Sequence, residues 1–316
     1  MRGFLLGACL VSVSVLALGC EKKPAKERAK TDVTADSFWP DAPKPTSTNT
    51  AHAFSYNSES VTGYVMTASG GTPPGSNPSI DFTMGLDLAM KPGSAPNIRD
   101  AYIRTLDLDM KAPGNNMKMH LDGNVMTVKQ NDEEPIEMKR GDGAVDVGGM
   151  TDEAFTTLEF TPDNRVVYHA IETHPFNALG GEGANDMLDN ALVLFPDLPA
   201  GEIKPGHTWK NTHRTSVGAT SAKVDLEYEF TYVGDGACPS GAPSCALFTF
   251  TGESQKDATV TENGMTMTAG YGLAGKVYFD LARKAPDESR VRMHLDAKTS
   301  GIALKVQATY IVKPTK

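Results

Sequence analysis

The chain has 316 residues, of which 40% are hydrophobic and 22% are charged, and it carries a formal net charge of −9. This length is enough for one large domain or two ordinary ones. The hydrophobic fraction excludes disorder throughout the chain, and the even spread of 30 Gly and 20 Pro residues excludes a collagen-like repeat. Nucleic acid is excluded as a partner because no concentrated Lys/Arg surface is visible that could bind phosphates.

An export signal is predicted at the N-terminus. Arg2 supplies the positive charge that precedes the apolar segment of a signal peptide. The apolar run from Phe4 to Leu18 is shorter than the ~20 residues that span a bilayer. The run ends in Ala17-Leu18-Gly19-Cys20, which resembles the lipobox of bacterial lipoproteins. The resemblance implies that residues 1–19 are a lipoprotein signal peptide and that Cys20 receives diacylglycerol, with palmitate as the expected acyl group. A signal peptide cut elsewhere and an uncleaved anchor are the alternatives.

The lipidated Cys20 and the residues up to position 52 are predicted to form a disordered tether. Lys, Glu, Asp, Pro, Thr and Ser dominate residues 20–52, which cannot bury enough apolar surface to offset the entropy of ordering. Trp39 is interpreted as a lone aromatic residue of this linker, with docking on the domain or on the membrane interface as alternatives. Glu21 follows Cys20, and by resemblance to enterobacterial sorting the absence of Asp there favours the outer membrane. The expected location is the cell envelope, with the chain facing the periplasm or the surface.

The number and positions of the cysteines are consistent with an exported protein. Cys9 leaves with the signal and Cys20 takes lipid, so that Cys238 and Cys245 remain, on either side of a Gly/Pro/Ser-rich loop. A disulfide between them fits an oxidising compartment. A redox or zinc role is the alternative, but no further metal ligand lies near them in the sequence.

Residues 53–316 are predicted to form an all-β domain. Apolar and polar residues alternate with a period of two, which is typical of antiparallel strands with one buried face. We therefore expect a large curved antiparallel sheet or open half-barrel of about fourteen strands. The apolar positions that carry this prediction are Ile80, Phe82, Met84, Leu86, Leu88 and Met90; Val224, Leu226, Tyr228, Phe230 and Tyr232; and Ile302, Leu304, Val306, Ala308, Tyr310 and Val312.

Turn residues separate these strands. Asp122-Gly123 and Asn263-Gly264 suit two-residue hairpins, and Pro162-Asp163-Asn164 suits a longer one. One short helix is predicted over Ala184–Leu194, near a possible sub-boundary at residues 180–195. Similar segments at Met117–Asp122 and Val291–Asp296 raise the possibility of two related half-sheets, with coincidence as the alternative.

A Met-rich apolar face is the candidate binding site. Methionine is flexible and polarisable, so such a face adapts to varied apolar ligands, although core filling is the alternative. The candidate ligand-binding residues are Phe82, Met84, Leu86, Met117, Met119, Met265 and Met267. A copper site from Met117, Met119 and His120 is a second hypothesis, which strand geometry weakens because His120 points away from both methionines.

No sequence pattern nominates a catalytic residue. The chain lacks HExxH, GxSxG, GxxxxGK[ST] and the Rossmann glycine pattern, and its seven histidines are scattered, with His169 and His174 flanking Glu172 and His207 and His213 flanking Trp209. No cofactor and no metal site are therefore expected, and an enzyme stands third among the possible classes.

The segment Phe195-Pro-Asp-Leu-Pro199, with Ile203-Lys-Pro-Gly206 and Trp209, resembles a P-x-x-x-[VI]-x-x-G-x-x-W segment of β-rich bacterial lipoproteins of unknown function. The likeness covers mainly residues 190–316 and carries no catalytic residues. Physically, Gly206 permits a tight turn and Trp209 anchors the next strand in the core. A more distant resemblance is to half-barrel lipoprotein carriers and lipid-binding lipoproteins.

These observations together predict a lipid-anchored envelope protein that is not an enzyme. The expected partners are the membrane, through the N-terminal lipid, and a hydrophobic ligand such as a lipid or acyl chain in a Met/Leu/Phe-lined concavity. The alternative is a structural or interaction module that binds an envelope protein and no small molecule.

Overall fold

A computed structural model describes residues 39, 42–123, 125–139, 147–171, 173–174, 195–216, 223–254, 258–262, 265–299 and 302–315. Strands dominate these residues. Their bounds are β1 His52–Ala53, β2 Gly63–Gly71, β3 Asp81–Pro92, β4 Ile98–Ala112, β5 Asn115–Asp122, β6 Val125–Gln130, β7 Ile136–Lys139, β8 Thr156–Phe160, β9 Val166–Ala170, β10 Glu202–Ile203, β11 Thr208–Ser216, β12 Lys223–Gly236, β13 Cys245–Ser254, β14 Ala258–Glu262, β15 Met265–Asp280, β16 Ala285–Thr299 and β17 Ile302–Pro314, with a 3-10 turn at Ser58–Ser60 and helix α1 at Val147–Asp152.

The predicted all-β antiparallel fold is confirmed. Fifteen strands form one sheet in the order β11-β12-β13-β15-β16-β17-β2-β3-β4-β5-β6-β7, while β14 pairs with β15, β8 with β4 and β9 with β8. The half of the sheet before β8 and the half after β10 meet where β17 pairs with β2. In the described part of the chain β7 and β11 have no pairing with each other, so the sheet is open.

The two faces of the sheet differ as the period-two alternation predicts. Met84 pairs with Ala68 of β2 and Leu108 of β4, and Leu86 pairs with Met66 and Leu106, so these apolar residues share one face. We call this the inner face and the opposite one the outer face. We call the end of the sheet at which β3 begins, near Asp81, the upper end. The end at which β3 finishes, near Pro92, is the lower end.

The sheet is strongly curved, with the inner face concave. Tyr56 lies on the inner face, where its ring centroid is 5.4 Å from that of Phe160 in β8 and 5.7 Å from that of Phe279 in β15. Six strand spacings separate β8 from β15, which in a flat sheet would put them roughly 29 Å apart. A single tyrosine can contact both only because the sheet bends around it.

The segment after residue 194 closes the lower end between β9 and β11. Phe195 packs edge-on against Tyr64 and Phe160. The Leu198 amide donates to the Asn164 carbonyl over 3.0 Å, and the Trp209 indole donates to the Asp197 carbonyl over 2.8 Å. One short segment therefore bridges two strands that lie far apart in the sheet.

The predicted turns join the predicted strands. Asp122 pairs with Val125, so the hairpin loop is Gly123 and residue 124, with Gly123 at φ 55°. Phe160 pairs with Val166 around a turn in which Asn164 has φ 62°. Glu262 pairs with Met265 around residues 263–264, which lie outside the described residues.

The helices differ from the prediction. The helix expected at residues 184–194 lies outside the described residues, whereas α1 was not predicted. Its sequence, VGGMTD, contains two glycines, which disfavour an isolated helix. Tertiary contacts stabilise it instead, because Met150 is buried and the Thr151 hydroxyl donates to the Gly123 carbonyl over 3.0 Å.

The last part of the segment predicted as a tether lies against the folded domain. The amides of Thr46 and Ser47 both donate to the Asp235 carbonyl, and the Tyr278 hydroxyl donates to the Pro43 carbonyl. We call residues 42–52 the N-terminal strap. Trp39, interpreted as a lone linker residue, is buried in a small cluster with the predicted Cys238–Cys245 disulfide, which is present. The partners of the strap are 189 and 235 residues away in the sequence, so no local pattern could reveal them.

Replacement of Phe195 by Ala tests the closure of the lower end. Removal of a buried ring that contacts three aromatic neighbours should lower the free energy of unfolding by about 3–5 kcal/mol, measured by urea denaturation. Val65→Ala, at a 38% exposed position of β2, is the control and should cost about 1 kcal/mol or less. Equal losses in the two variants would contradict the role given to Phe195.

Candidate functional site

Two rows of residues cross the inner face from β5 to β11, and neither contains an ionisable acidic or basic side chain. The strand register defines both rows. The upper row is Met117, Met110, Phe82, Gly70, Ala308, Met293, Leu273, Gly252, Tyr228 and Asn211. The row below it is Met119, Leu108, Met84, Ala68, Tyr310, Val291, Gly275, Phe250, Phe230 and Trp209.

The structure brings five of the seven predicted ligand-binding residues together on β3 and β5. Phe82, Met117 and Met119 are half-buried and pack against the main core. Met84 and Leu86 are 5% and 1% exposed, so they belong to the filled core and support the half-buried residues from below. Met265 and Met267 lie at the start of β15, where the backbone pairs with Glu262 and Val260 of β14.

Further half-buried apolar residues continue this surface on neighbouring strands. Val128 of β6 and Met138 of β7 extend it beyond β5, and Met293, Leu295 and Leu304 extend it across β16 and β17. The sequence analysis placed Leu304 of β17 on a buried face. It did not predict that Leu304 lies on the same surface as the candidate residues of β3 and β5. The same alternation marks both groups, but only the β17–β2 pairing places them on one concave surface.

Aromatic residues fill the lower end of the inner face. Phe54 lies 5.1 to 5.8 Å, between ring centroids, from Tyr232, Phe248 and Phe279. Aromatic residues also occupy the β11–β12 end of the second row, where the Trp209 ring stacks on Phe230 at 5.4 Å, and Gly206, with φ 90°, makes the turn before β11, as expected from the sequence. Burial raises the pKa of the Tyr56 hydroxyl, which donates to the Pro196 carbonyl. The lower end of the inner face is therefore a filled aromatic core.

The outer face of the same strands is polar. His120 Nδ1 lies 2.6 Å from Asp107 Oδ1, and Lys118 Nζ lies 2.9 Å from Asp109 Oδ2. These residues line an open groove of about 320 Å³. His120 thus lies on the face opposite Met117 and Met119, and the three residues cannot bind one copper ion.

The histidines flanking Glu172 have separate structural contacts. His169 Nε2 lies 3.2 Å from Glu159 Oε2 on an exposed strand pair. His174 is fully buried against the Phe155 ring, and desolvation lowers its pKa. Within the described residues, the one group of potential metal ligands in close contact is Cys238, Cys245 and Asp287, and both sulfurs there are in the disulfide.

None of the helices in the described part of the chain has the length and apolarity needed to cross a membrane.

No protein-family model and no curated protein matches this chain. Among solved structures it is similar to lipovitellin, described for its lipid–protein interactions, with 9% identity and a TM-score of 0.43 over 81% of this chain and 25% of that one. It also aligns with a candidate outer membrane protein of Bacteroides fragilis, with 10% identity and a TM-score of 0.14 over 82% of this chain and all of that one. The chain spans only a quarter of the lipovitellin chain, and both TM-scores are too low to establish a shared fold.

Proposed function

We propose that the upper end of the inner face binds an uncharged apolar ligand, such as a lipid or an acyl chain. The observation that supports this is the combination of two rows without charges and a half-buried Met/Leu/Phe surface at one end of a concave sheet. Half-buried methionines adapt their rotamers to ligands of varied shape. Each ligand methylene removed from water contributes about 0.8 kcal/mol, so an acyl chain supplies enough favourable free energy to offset the entropy lost on binding.

We further propose that the protein is attached to the envelope through lipid on Cys20. The lipobox resemblance supports this attachment, and Glu21 supports the outer membrane. Residues 20–38 of the predicted tether lie outside the described residues, whereas the N-terminal strap packs on the domain.

Labelled palmitate tests the proposed anchor. Cells that express the wild-type chain should incorporate the label into the protein, and cells that express Cys20→Ala should not, because the thiol is the proposed acceptor. Cys9→Ala is the matched control and should retain the label. Label in the Cys20→Ala protein would contradict attachment at this residue.

A fluorescent apolar probe tests the binding surface. The chain from Glu21 to Lys316 contains every described residue, and after organic extraction and refolding it should bind N-phenyl-1-naphthylamine. Met119→Glu should weaken this binding about tenfold or more, because the carboxylate would be desolvated by the bound probe. His120→Glu, one residue along β5 on the outer face, is the control and should bind normally. Equal weakening in both variants would contradict an inner-face site.

A structural or interaction module is the second candidate. Ile136 is 56% exposed on β7, an end strand of the sheet, and such an edge can pair with another chain. If the wild-type chain binds no apolar probe and its organic extract contains no lipid, the interaction module is favoured over the ligand-binding protein.

A further inference from the structure

A cluster of potential ligand atoms lies at the lower end of the sheet, where β13 begins and β15 ends. The sulfur atoms of Cys238 and Cys245 and a carboxylate oxygen of Asp287 all lie within 4.8 Å of one another. The three residues are 4%, 1% and 1% exposed. Asp287 belongs to β16, far along the chain from the cysteines, so the sequence around the cysteines shows only two of the three groups.

A β-bulge directs the Asp287 side chain to this cluster. The register between β15 and β16 shifts between Tyr278 and Phe279, so Asp287 has no partner residue in β15. Bulges change the direction of a side chain and are frequent next to functional sites. Asp287 Oδ2 accepts a hydrogen bond over 3.0 Å from the amide of Ser240, which lies in the loop between the two cysteines. The bulge therefore connects β16 with the cysteine loop.

The Asp287 carboxylate is only partly satisfied by the protein. Its Oδ1 atom is buried without a hydrogen-bond partner, and in the described part of the chain no Lys, Arg or His side chain forms an ion pair with it. Glu288, the next residue, is also buried, but it contacts Arg290 and Lys313. A buried carboxylate without a positive partner is costly, so the cluster lacks a cation.

The three groups suit a divalent cation of the zinc class. Zn²⁺ accepts both thiolate sulfur and carboxylate oxygen, whereas Cu(I) prefers sulfur and Mg²⁺ prefers oxygen. In the oxidised chain the two sulfurs are bonded to each other and cannot act as two thiolates. A thiol reductant, R–SH, removes this obstacle. Two R–SH molecules give two electrons and two protons to the disulfide, which yields two cysteine thiols and one R–S–S–R.

We propose that Cys238, Cys245 and Asp287 bind one Zn²⁺-class cation when their disulfide is reduced. The cation displaces both thiol protons to solvent, forms two bonds to sulfur and one to the carboxylate, and keeps a water as its fourth ligand. It then holds the cysteine loop to β16 in place of the S–S bond. Loop residues 240, 241 and 243 are exposed, which gives the cation a path to the site. This site is separate from the proposed lipid-binding surface, and neither proposal depends on the other.

A cobalt titration tests this site. The chain from Glu21 to Lys316 contains Cys238 and Cys245 and no other cysteine, so any thiolate signal comes from these two residues. After reduction with a phosphine under nitrogen, it should bind one Co²⁺ and show a sulfur-to-cobalt charge-transfer band and the visible bands of a tetrahedral site. Zn²⁺ should abolish these bands and raise the melting temperature of the reduced chain. The oxidised chain should show neither effect.

Asp287→Asn tests the third ligand. The amide oxygen can still accept from Ser240, but it is neutral, so the dissociation constant for Co²⁺ should rise about tenfold or more. Asp280→Asn is the matched control, because Asp280 is also buried and pairs with Cys245 across the strands. Its Oδ1 accepts from the amides of residues 282 and 283, and this variant should bind Co²⁺ as the wild-type chain does.

Three results would overturn the site. The first is a reduced wild-type chain without the sulfur-to-cobalt band, and the second is equal weakening in the two variants. The third is equal Co²⁺ affinity in the oxidised chain, which would assign the cation to other carboxylates. Circular dichroism in the near ultraviolet is recorded alongside, and loss of the native spectrum on reduction would also overturn the proposal, because no folded chain would then present the three ligands.

Discussion

The contact of Tyr56 with Phe160 on one side and Phe279 on the other holds the sheet in its curved form. Strands that are far apart in the sheet can approach only if their common face becomes concave. That curvature removes the inner face from bulk water, in agreement with the absence of charged side chains from the two rows, whereas on the outer face Asp107 and Asp109 meet His120 and Lys118. The closing segment from Phe195 onward depends on the same cluster, because its ring packs between Tyr64 and Phe160.

The two ends of the concave face consequently have different properties. Rigid aromatic rings pack against one another at the lower end and leave no space for a ligand. At the upper end the side chains are mainly Met, Leu and small residues, several of them half-buried. A surface of this kind is stable enough to remain folded and adaptable enough to accept hydrocarbon.

Local sequence patterns predicted the strands and their faces because burial on one side leaves a period of two, as in β3 from Phe82 to Met90. They also predicted the turn at Gly206, the packing of Trp209 and the disulfide. They could not predict helix α1 or the docking of Trp39. Each of these depends on partners distant in sequence, and the strand order that brings Met293 near Phe82 is a property of long-range pairing alone.

The most direct test of the central claim is a methyl NMR spectrum of the chain with methyl-¹³C methionine, recorded with a neutral spin-labelled ester, the methyl ester of 16-doxyl-stearate. If the upper inner face holds the acyl chain, the methyl signals of Met117, Met119 and Met293 broaden strongly. The signal of Met90 broadens least, because it lies about 27 Å further down β3 than Phe82. Equal broadening of all methionines, or none, would contradict a binding site in this concavity.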